Sequence, residues 1–301
     1  MPITGSGVAT NRTNIQLPND VSQEILQKTQ EESMVMQLAR QIVLPGRGLQ
    51  IPMITGDPEA AWVGETAAKP ISNPTLDKKI MQGHKLAVIV PFSDEFRRDA
   101  AALYDALVSR LPGVLGKKFD ETVFFGPTGA TLANFDNLSA VTAQALDTAN
   151  KTAYDGLVAA DIDISEQGGT VNGYVFSPQG RGILLAAVDA NKRPLFMNST
   201  AEGAIPRLLG APTYFTAAAY QAGTSGSPGT PDVVGFAGDW TKAMYGVVEG
   251  VSISYSSEAT LVSGNTTINL FQQNMFAVRA EIEVGFVAQA EYFNKLTRTH
   301  E

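Results

Sequence analysis

Residues 84–95 read His84-Lys85-Leu86-Ala87-Val88-Ile89-Val90-Pro91-Phe92-Ser93-Asp94-Glu95, and the change of pattern inside them decides the fold. Lys85 to Val90 has strand character. Ser93 then offers a helix cap, and Asp94 and Glu95 suit the positive end of a helix dipole. Phe96, Ala100, Leu103, Leu107, Leu111, Val114, Leu115 and Phe119 recur at helical spacing along one face. The pattern predicts a strand passing directly into a helix over 93–125, roughly 45–50 Å long at ~1.5 Å per residue if continuous. Pro112 is expected to kink or divide it, and Gly126-Pro127-Thr128-Gly129 to stop it.

Upstream, Leu49-Gln50-Ile51-Pro52-Met53 is also strand-like, but Gly56-Asp57-Pro58 through Asn73-Pro74-Thr75 is polar and broken by proline. About 35 such residues, poor in core side chains, do not fold onto a body as an ordinary loop. They read as a long hairpin between the 49–53 and 85–90 segments, projecting away from the body. Trp62 and Val63 sit in its middle and would be wet in a lone subunit, so they are expected to touch another chain. Before it, residues 1–18 read as an arm, and Asn19 or Asp20 caps a helix running to about Arg40, ended by Pro45-Gly46-Arg47-Gly48.

Residues 130–235 read as an α/β segment. A helical run is expected near 140–160, a strand at Gly173–Ser177, a helix from Pro178 to about Ala190, a strand around Thr213–Phe215 and a flexible loop over Gln221–Pro231. Strands follow at Val233–Phe236, Gly250–Tyr255 and Phe276–Phe286. In the last, Phe276, Val278, Ala280, Ile282, Val284 and Phe286 alternate with Arg279, Glu281 and Glu283, the period of a half-buried strand.

Composition narrows the function. The chain has 301 residues, 44% hydrophobic and 17% charged, with a net charge of −8 and no cysteine. That excludes disulfides, thiolate metal sites and cysteine nucleophiles, and fits synthesis in a reducing cytosol. No apolar run approaches the roughly 18 residues of a membrane span, and the first residues lack the pattern of a signal peptide. The acidic balance argues against tight adhesion to nucleic acid. His84 reads as structural and His300 as part of a frayed end. Asp161-Ile162-Asp163 would share a face on a strand and so suit a divalent metal, but no further ligand clusters with them; a solvated strand edge or a helix cap is the alternative. No nucleophile-elbow, zincin or dinucleotide motif occurs, so neither a cofactor nor a metal is expected, and the chain is not read as an enzyme.

The order of the parts carries a resemblance. The extended segment with Ala61-Trp62-Val63-Gly64-Glu65-Thr66-Ala67-Ala68-Lys69-Pro70, the 84–95 strand-to-helix passage, Phe124-Phe125-Gly126, Leu209-Gly210-Ala211-Pro212 and Gln273-Asn274-Met275-Phe276-Ala277-Val278-Arg279-Ala280-Glu281 together resemble the tailed-phage major capsid protein family, with its Hong Kong 97-like fold. The resemblance implies an α+β fold. It comprises an N-terminal arm and helix (1–47), an extended E-loop (48–85), a peripheral P domain with a spine helix (86–129), an axial A domain (130–235) and P-domain return strands (236–301).

It also implies a structural role, self-assembly through hexamers and pentamers into an icosahedral virion head around double-stranded DNA held by weak contact. Assembly would take place in the host cytoplasm, with a portal and with decoration proteins as further partners and no membrane. An encapsulin-type nanocompartment shell is the alternative reading. Met1 stands directly at the arm, so a separate scaffolding protein or scaffold-free assembly is expected. Trp62, Val63 and Glu65 are the expected intersubunit contacts. Some members of the family join subunits by an isopeptide bond, and Lys69, Asn274 and Glu281 match those positions. In an extended strand Asn274 and Glu281 would lie about 23 Å apart, so one bond would need residues from different subunits. Otherwise Lys69 is a surface charge, Asn274 pairs backbone and Glu281 pairs a basic neighbour.

Overall fold

A computed structural model describes residues 33–56, 75–99, 101–129, 131–147, 152–188, 191–196, 207–226, 229–263 and 266–300, with Ala60, Trp62, Val63, Lys69 and Ile71. The expected arm, the first part of the helix expected after Asn19, and Glu65 lie outside the described residues.

The described chain enters through a short helix α1 (Met34–Leu38) and strands β1 (Arg40–Val43), β2 (Leu49–Gly56) and β3 (Thr75–Met81). Strand β4 (His84–Ser93) then leads into α2 (Asp94–Asp99) and the long helix α3 (Ala101–Phe125). Next come β5 (Thr142–Ala145), α4 (Ala153–Glu166), β6 (Gly173–Phe176), α5 (Pro178–Ala186), β7 (Arg207–Leu208), β8 (Ala211–Phe215) and β9 (Asp232–Gly238). The chain closes with β10 (Ala243–Ser256), β11 (Thr260–Ser263), β12 (Thr266–Asn269), β13 (Met275–Ala288) and β14 (Phe293–Arg298). One sheet has four strands in the order β1-β10-β13-β4 and another six in the order β5-β14-β9-β6-β8-β7, while β2–β3 and β11–β12 are separate two-stranded ribbons.

The core follows from β13. Its expected inward set, Phe276, Val278, Ala280, Ile282, Val284 and Phe286, is buried throughout, because β13 lies between β10 and β4 and under α3. Leu111, Leu115 and Phe119 of α3 face that surface, and Phe119 meets Phe286 edge-on at 6.4 Å between ring centres. Each buried phenylalanine contributes about 1.5–3 kcal/mol relative to exposure. At the far end of α3, Phe124 stacks on Phe236 of β9 at 4.7 Å. One helix therefore binds both sheets into a continuous core.

Several expectations are corrected. The strand-to-helix passage is as read, with the Ser93 hydroxyl accepting the Phe96 N–H at 3.1 Å, and the helix is described over Asp94–Asp99 and a longer piece, Ala101–Phe125, with Ala100 outside the described residues. The longer piece runs through Pro112 without division, and Val114, expected on the apolar face, is exposed. The N-terminal helix stops at Leu38 rather than near Arg40. Arg40–Val43 instead pairs parallel with Met244–Val247, a use that suits the β-branched Ile42 and Val43.

The helical run expected at 140–160 starts at Ala153. Thr142–Ala145 is drawn into the edge of the six-stranded sheet beside β14, and the helix begins only where Thr152 and Asp155 cap it reciprocally. Asp161 and Asp163 therefore sit inside helix α4, about 200° apart around its axis, rather than on one strand face. The loop at 221–231 is closed across itself, with Thr224 and Thr230 exchanging backbone hydrogen bonds at 3.1 Å.

The partner of Leu49–Gly56 in the hairpin is Thr75–Met81, not the 85–90 run. Leu86, Val88 and Val90 are spent on the core under α3, which leaves the polar strand β3 to complete the ribbon. Finally, not all of 236–301 returns to the four-stranded sheet. After Gln289 a short turn redirects the chain, and Phe293–Arg298 pairs with β9 and β5 in the six-stranded sheet.

Candidate functional site

The hairpin is a ribbon anchored at one end. Its register runs from Leu49 opposite Met81 at the root to Gly56 opposite Thr75. At the root Met81 is fully buried against Leu44 and Val287. It seats there because Gly246 and Gly285, opposite each other on β10 and β13, leave a notch in the sheet. A Cβ on Gly246 would lie 2.7 Å from the Met81 Sδ, and one on Gly285 would lie 2.6 Å from the Gln82 carbonyl oxygen.

Beyond the root nothing of the body covers the tip residues that are described. Trp62 is fully exposed, Ile71 is 91% exposed, Lys69 is exposed and Val63 lies at the edge of exposure. Val43, on the open edge of β1, is likewise 87% exposed. Burying a side chain of tryptophan size is worth on the order of 3 kcal/mol, so this tip offers a substantial gain to any surface that covers it.

The other expected site residues are dispersed. Asn274 is exposed in the turn before β13 with φ of 51°, and its carbonyl accepts the Asp94 N–H at 3.0 Å. Glu281 lies within β13 on the face opposite the core, opposite Ala87, and pairs with Arg279 at 3.4 Å. The strand separates it from Asn274 within one chain. His84 places Nε2 2.7 Å from the Ala133 carbonyl oxygen and its ring against Phe135. Among the described residues no group of three or more His, Cys, Asp or Glu could hold a metal ion. No described helix is long and apolar enough to cross a membrane.

Two buried carboxylates that sequence spacing did not single out tie separate parts of the chain together. Asp120 of α3, buried, accepts from the Ser33 hydroxyl at 2.5 Å, the Met34 N–H at 2.8 Å and the Val35 N–H at 3.3 Å. It thus ties Ser33, Met34 and Val35 to the long helix.

Asp232, also buried, accepts from the Gly223 N–H at 2.8 Å, Arg298 Nε at 2.8 Å and Tyr220 at 3.3 Å, with His300 Nδ1 at 2.6 Å. Burial alone would push this carboxyl up, but the Gly223 N–H, His300 and Arg298 outweigh it and hold it well below the usual carboxylate range. Arg298 and His300 are therefore clasped, not frayed as expected for His300. Arg298 lies 66 positions from Asp232 and Ser33 lies 87 from Asp120, so no local motif announces these two pairs.

Comparison with known proteins agrees with this architecture. The model of the Phage capsid family matches residues 14–297. "Probable major capsid protein gp17" of Mycobacterium phage D29 is 27% identical over 297 residues, covering 93% of this chain and 89% of that protein. The "Major capsid protein" of Staphylococcus phage 80alpha is 24% identical, covering 93% and 84%. A solved structure from Mycobacterium phage Adephagia superposes with a TM-score of 0.76 at 21% identity over 97% of this chain and 98% of that one, which shows a shared fold.

Proposed function

The chain belongs to the phage capsid family, and its role is that of a structural capsid subunit rather than an enzyme or an encapsulin; from that premise we propose how it builds a shell. Copies associate through hexamers and pentamers into an icosahedral head around double-stranded DNA, with assembly in the host cytoplasm, a portal and decoration proteins as partners, and either a separate scaffolding protein or scaffold-free assembly. In this reading the β2–β3 ribbon is the E-loop and the four-stranded sheet with α3 is the P domain. The six-stranded sheet, with β14 added to it, is the A domain. Trp62, Val63 and Glu65 contact neighbouring subunits.

The observation that carries the proposal is the exposed hairpin tip, with Trp62 and Ile71 uncovered by their own chain while the body core is complete. A heterologous contact repeated around a ring buries such a tip on every subunit at once and closes when the rotation closes. The net charge of −8 suits a container whose wall must let nucleic acid pass without gripping it.

Electron microscopy of the purified chain, concentrated under mild conditions, tests the reading. Closed shells of uniform diameter are expected, and subunits that stay monomeric at every concentration would sink it. Boiling those shells in detergent tests an isopeptide bond between Lys69 Nζ and the Asn274 side-chain carbonyl of different subunits, formed with loss of ammonia and with Glu281 as the proton acceptor. Ladders of chain multiples mean a covalent link. Bands of subunit size alone mean a surface lysine, a turn asparagine and the ion pair with Arg279.

A further inference from the structure

We propose that Asp136, helped by Asn134 and Ala133, is a bracket that sets the pitch of the β2–β3 hairpin and hence where its tip meets the next subunit; the second half of this rests on the assembly reading above. Three contacts join the strap 133–136 to the hairpin root in step. Lys79 Nζ donates to Asp136 Oδ2 at 2.7 Å and to the Ala288 carbonyl at 2.6 Å. Asn134 Nδ2 lies 3.4 Å from Gln82 Oε1, and the Ala133 carbonyl meets His84 Nε2 at 2.7 Å. The strap is itself pinned to β13, because the Asp136 N–H donates to the Phe286 carbonyl at 3.1 Å and Asp136 Oδ2 accepts the Ala288 N–H at 3.1 Å.

The division of labour follows from strand geometry. Lys79 and Met81 are two apart on β3 and point to the same side, toward the body. Met81 in its glycine notch, with Leu49 and Ile51 of β2 packed against the same cluster, fixes where the ribbon is attached, but apolar contact is non-directional and by itself sets the ribbon's tilt only loosely. Lys79 reaches the body some two residues further out, about 6–7 Å along the strand, and a second point of attachment removes that tilt. The ammonium meets the Asp136 carboxylate of the strap and the Ala288 carbonyl at the end of β13. The pitch of the ribbon is thereby referred to β13, a strand paired on both sides in the four-stranded sheet.

Hydrogen exchange on full-length Lys79→Met subunits, kept dilute enough to stay unassembled, tests the bracket directly. This variant keeps the apolar stem and leaves the Asp136 to Ala288 bond intact, so the body should fold as before. Exchange of the 75–81 amides is expected to quicken about tenfold while β10 and β13 are unchanged, and Lys79→Arg is expected to restore the parent rates. On concentration, Lys79→Met should give shells of mixed diameter or open sheets.

Unchanged exchange at 75–81 overturns the bracket. Quickened exchange with shells of the parent diameter overturns its control of pitch. Asp136→Ala, which removes the same latch from the other side, must loosen the same amides; if it loosens β13 alone, the assignment is wrong. Trp62→Ala tests the underlying reading separately. Normal shells from that variant, with the hairpin exchange unaltered, would count against the tip contact and leave the bracket standing.

Discussion

Strand β13 and the β2–β3 hairpin both carry apolar residues in strand-like runs, yet they meet opposite fates. In β13 the alternating set Phe276 to Phe286 is buried to the last member, because β10 and β4 flank it and α3 covers it. In the hairpin only the root is covered, through Met81, while Ile80 is exposed and Trp62 and Ile71 are wholly uncovered. An apolar pattern states that a surface is to be buried and leaves open against what. The core sheet is completed within the chain, whereas the hairpin has its attachment within the chain and, on the proposed reading, its cover on a neighbour.

The contrast is broken most sharply at the core. Phe286→Ala removes a fully buried ring that meets both Phe119 and Phe135. A loss of about 3–5 kcal/mol is expected, read as a lower denaturation midpoint in unassembled subunits, with little soluble protein recovered at 37 °C.

A somewhat smaller effect is expected at Asp232, which ties β14 and the 220s loop to the six-stranded sheet. Asp232→Asn keeps the shape but loses the charge that Arg298 and His300 answer, at a cost of about 2–4 kcal/mol. The pH dependence has a definite sign. The Asp232 carboxyl is depressed in the fold, so its contribution is complete above the unfolded carboxyl's value of about 4 and is lost as pH falls below it. The parent should lose stability on acidification below about pH 4; the variant, already lacking the charge, should show a flatter profile there. Urea titrations at a series of acid pH values check this. Equal slopes would mean that Asp232 does not carry the acid sensitivity.

What could be read from the chain alone divides along the same line. The 84–95 passage and the alternation of β13 were legible because each is a local period, enforced by its own cap or by its own pleat. The misread stretches are those where a distant strand decides. Arg40–Val43 and Thr142–Ala145 become strands only because β10 and β14 offer edges, and neither sequence announces the edge. The hairpin's existence was legible from its polarity and prolines, but its pairing was not. The apolar 85–90 run looked like the better partner until α3 claimed it for the core. The exposure of Trp62 was legible, since a tryptophan in a coreless segment finds no cover on its own chain. Asp120, Asp136 and Asp232 were invisible, because each acts on residues far away in sequence that no spacing connects to it.

At the junction of the two regions the expected cost is smaller again. A Cβ at Gly285 would stand 2.6 Å from the Gln82 carbonyl and 2.9 Å from the Met81 side chain. Gly285→Ala should therefore push the hairpin root out of its notch for about 1–3 kcal/mol. The diagnostic feature is its distribution. Amides of 75–83 should exchange faster while the Phe276–Val284 part of β13 holds, and a uniform loss across the whole sheet would mean that the glycine serves β13 itself instead of the hairpin.

The sharpest test has the smallest effect on the subunit. Trp62 touches nothing of the described body and is fully exposed, so Trp62→Ala should leave the stability of an unassembled subunit within about 0.5 kcal/mol of the parent. If the tip is covered only in the shell, the same change removes a contact repeated on every copy, and the concentration needed for assembly should rise by about tenfold or more, as expected for a buried aromatic anchor. The two measurements must be made on one preparation, thermal or urea unfolding below the assembly threshold and light scattering above it. A destabilised subunit with unaltered assembly would place Trp62 inside its own fold and erase the distinction between the hairpin and β13; an unaltered subunit that no longer assembles locates the missing half of the hairpin's core on its neighbour.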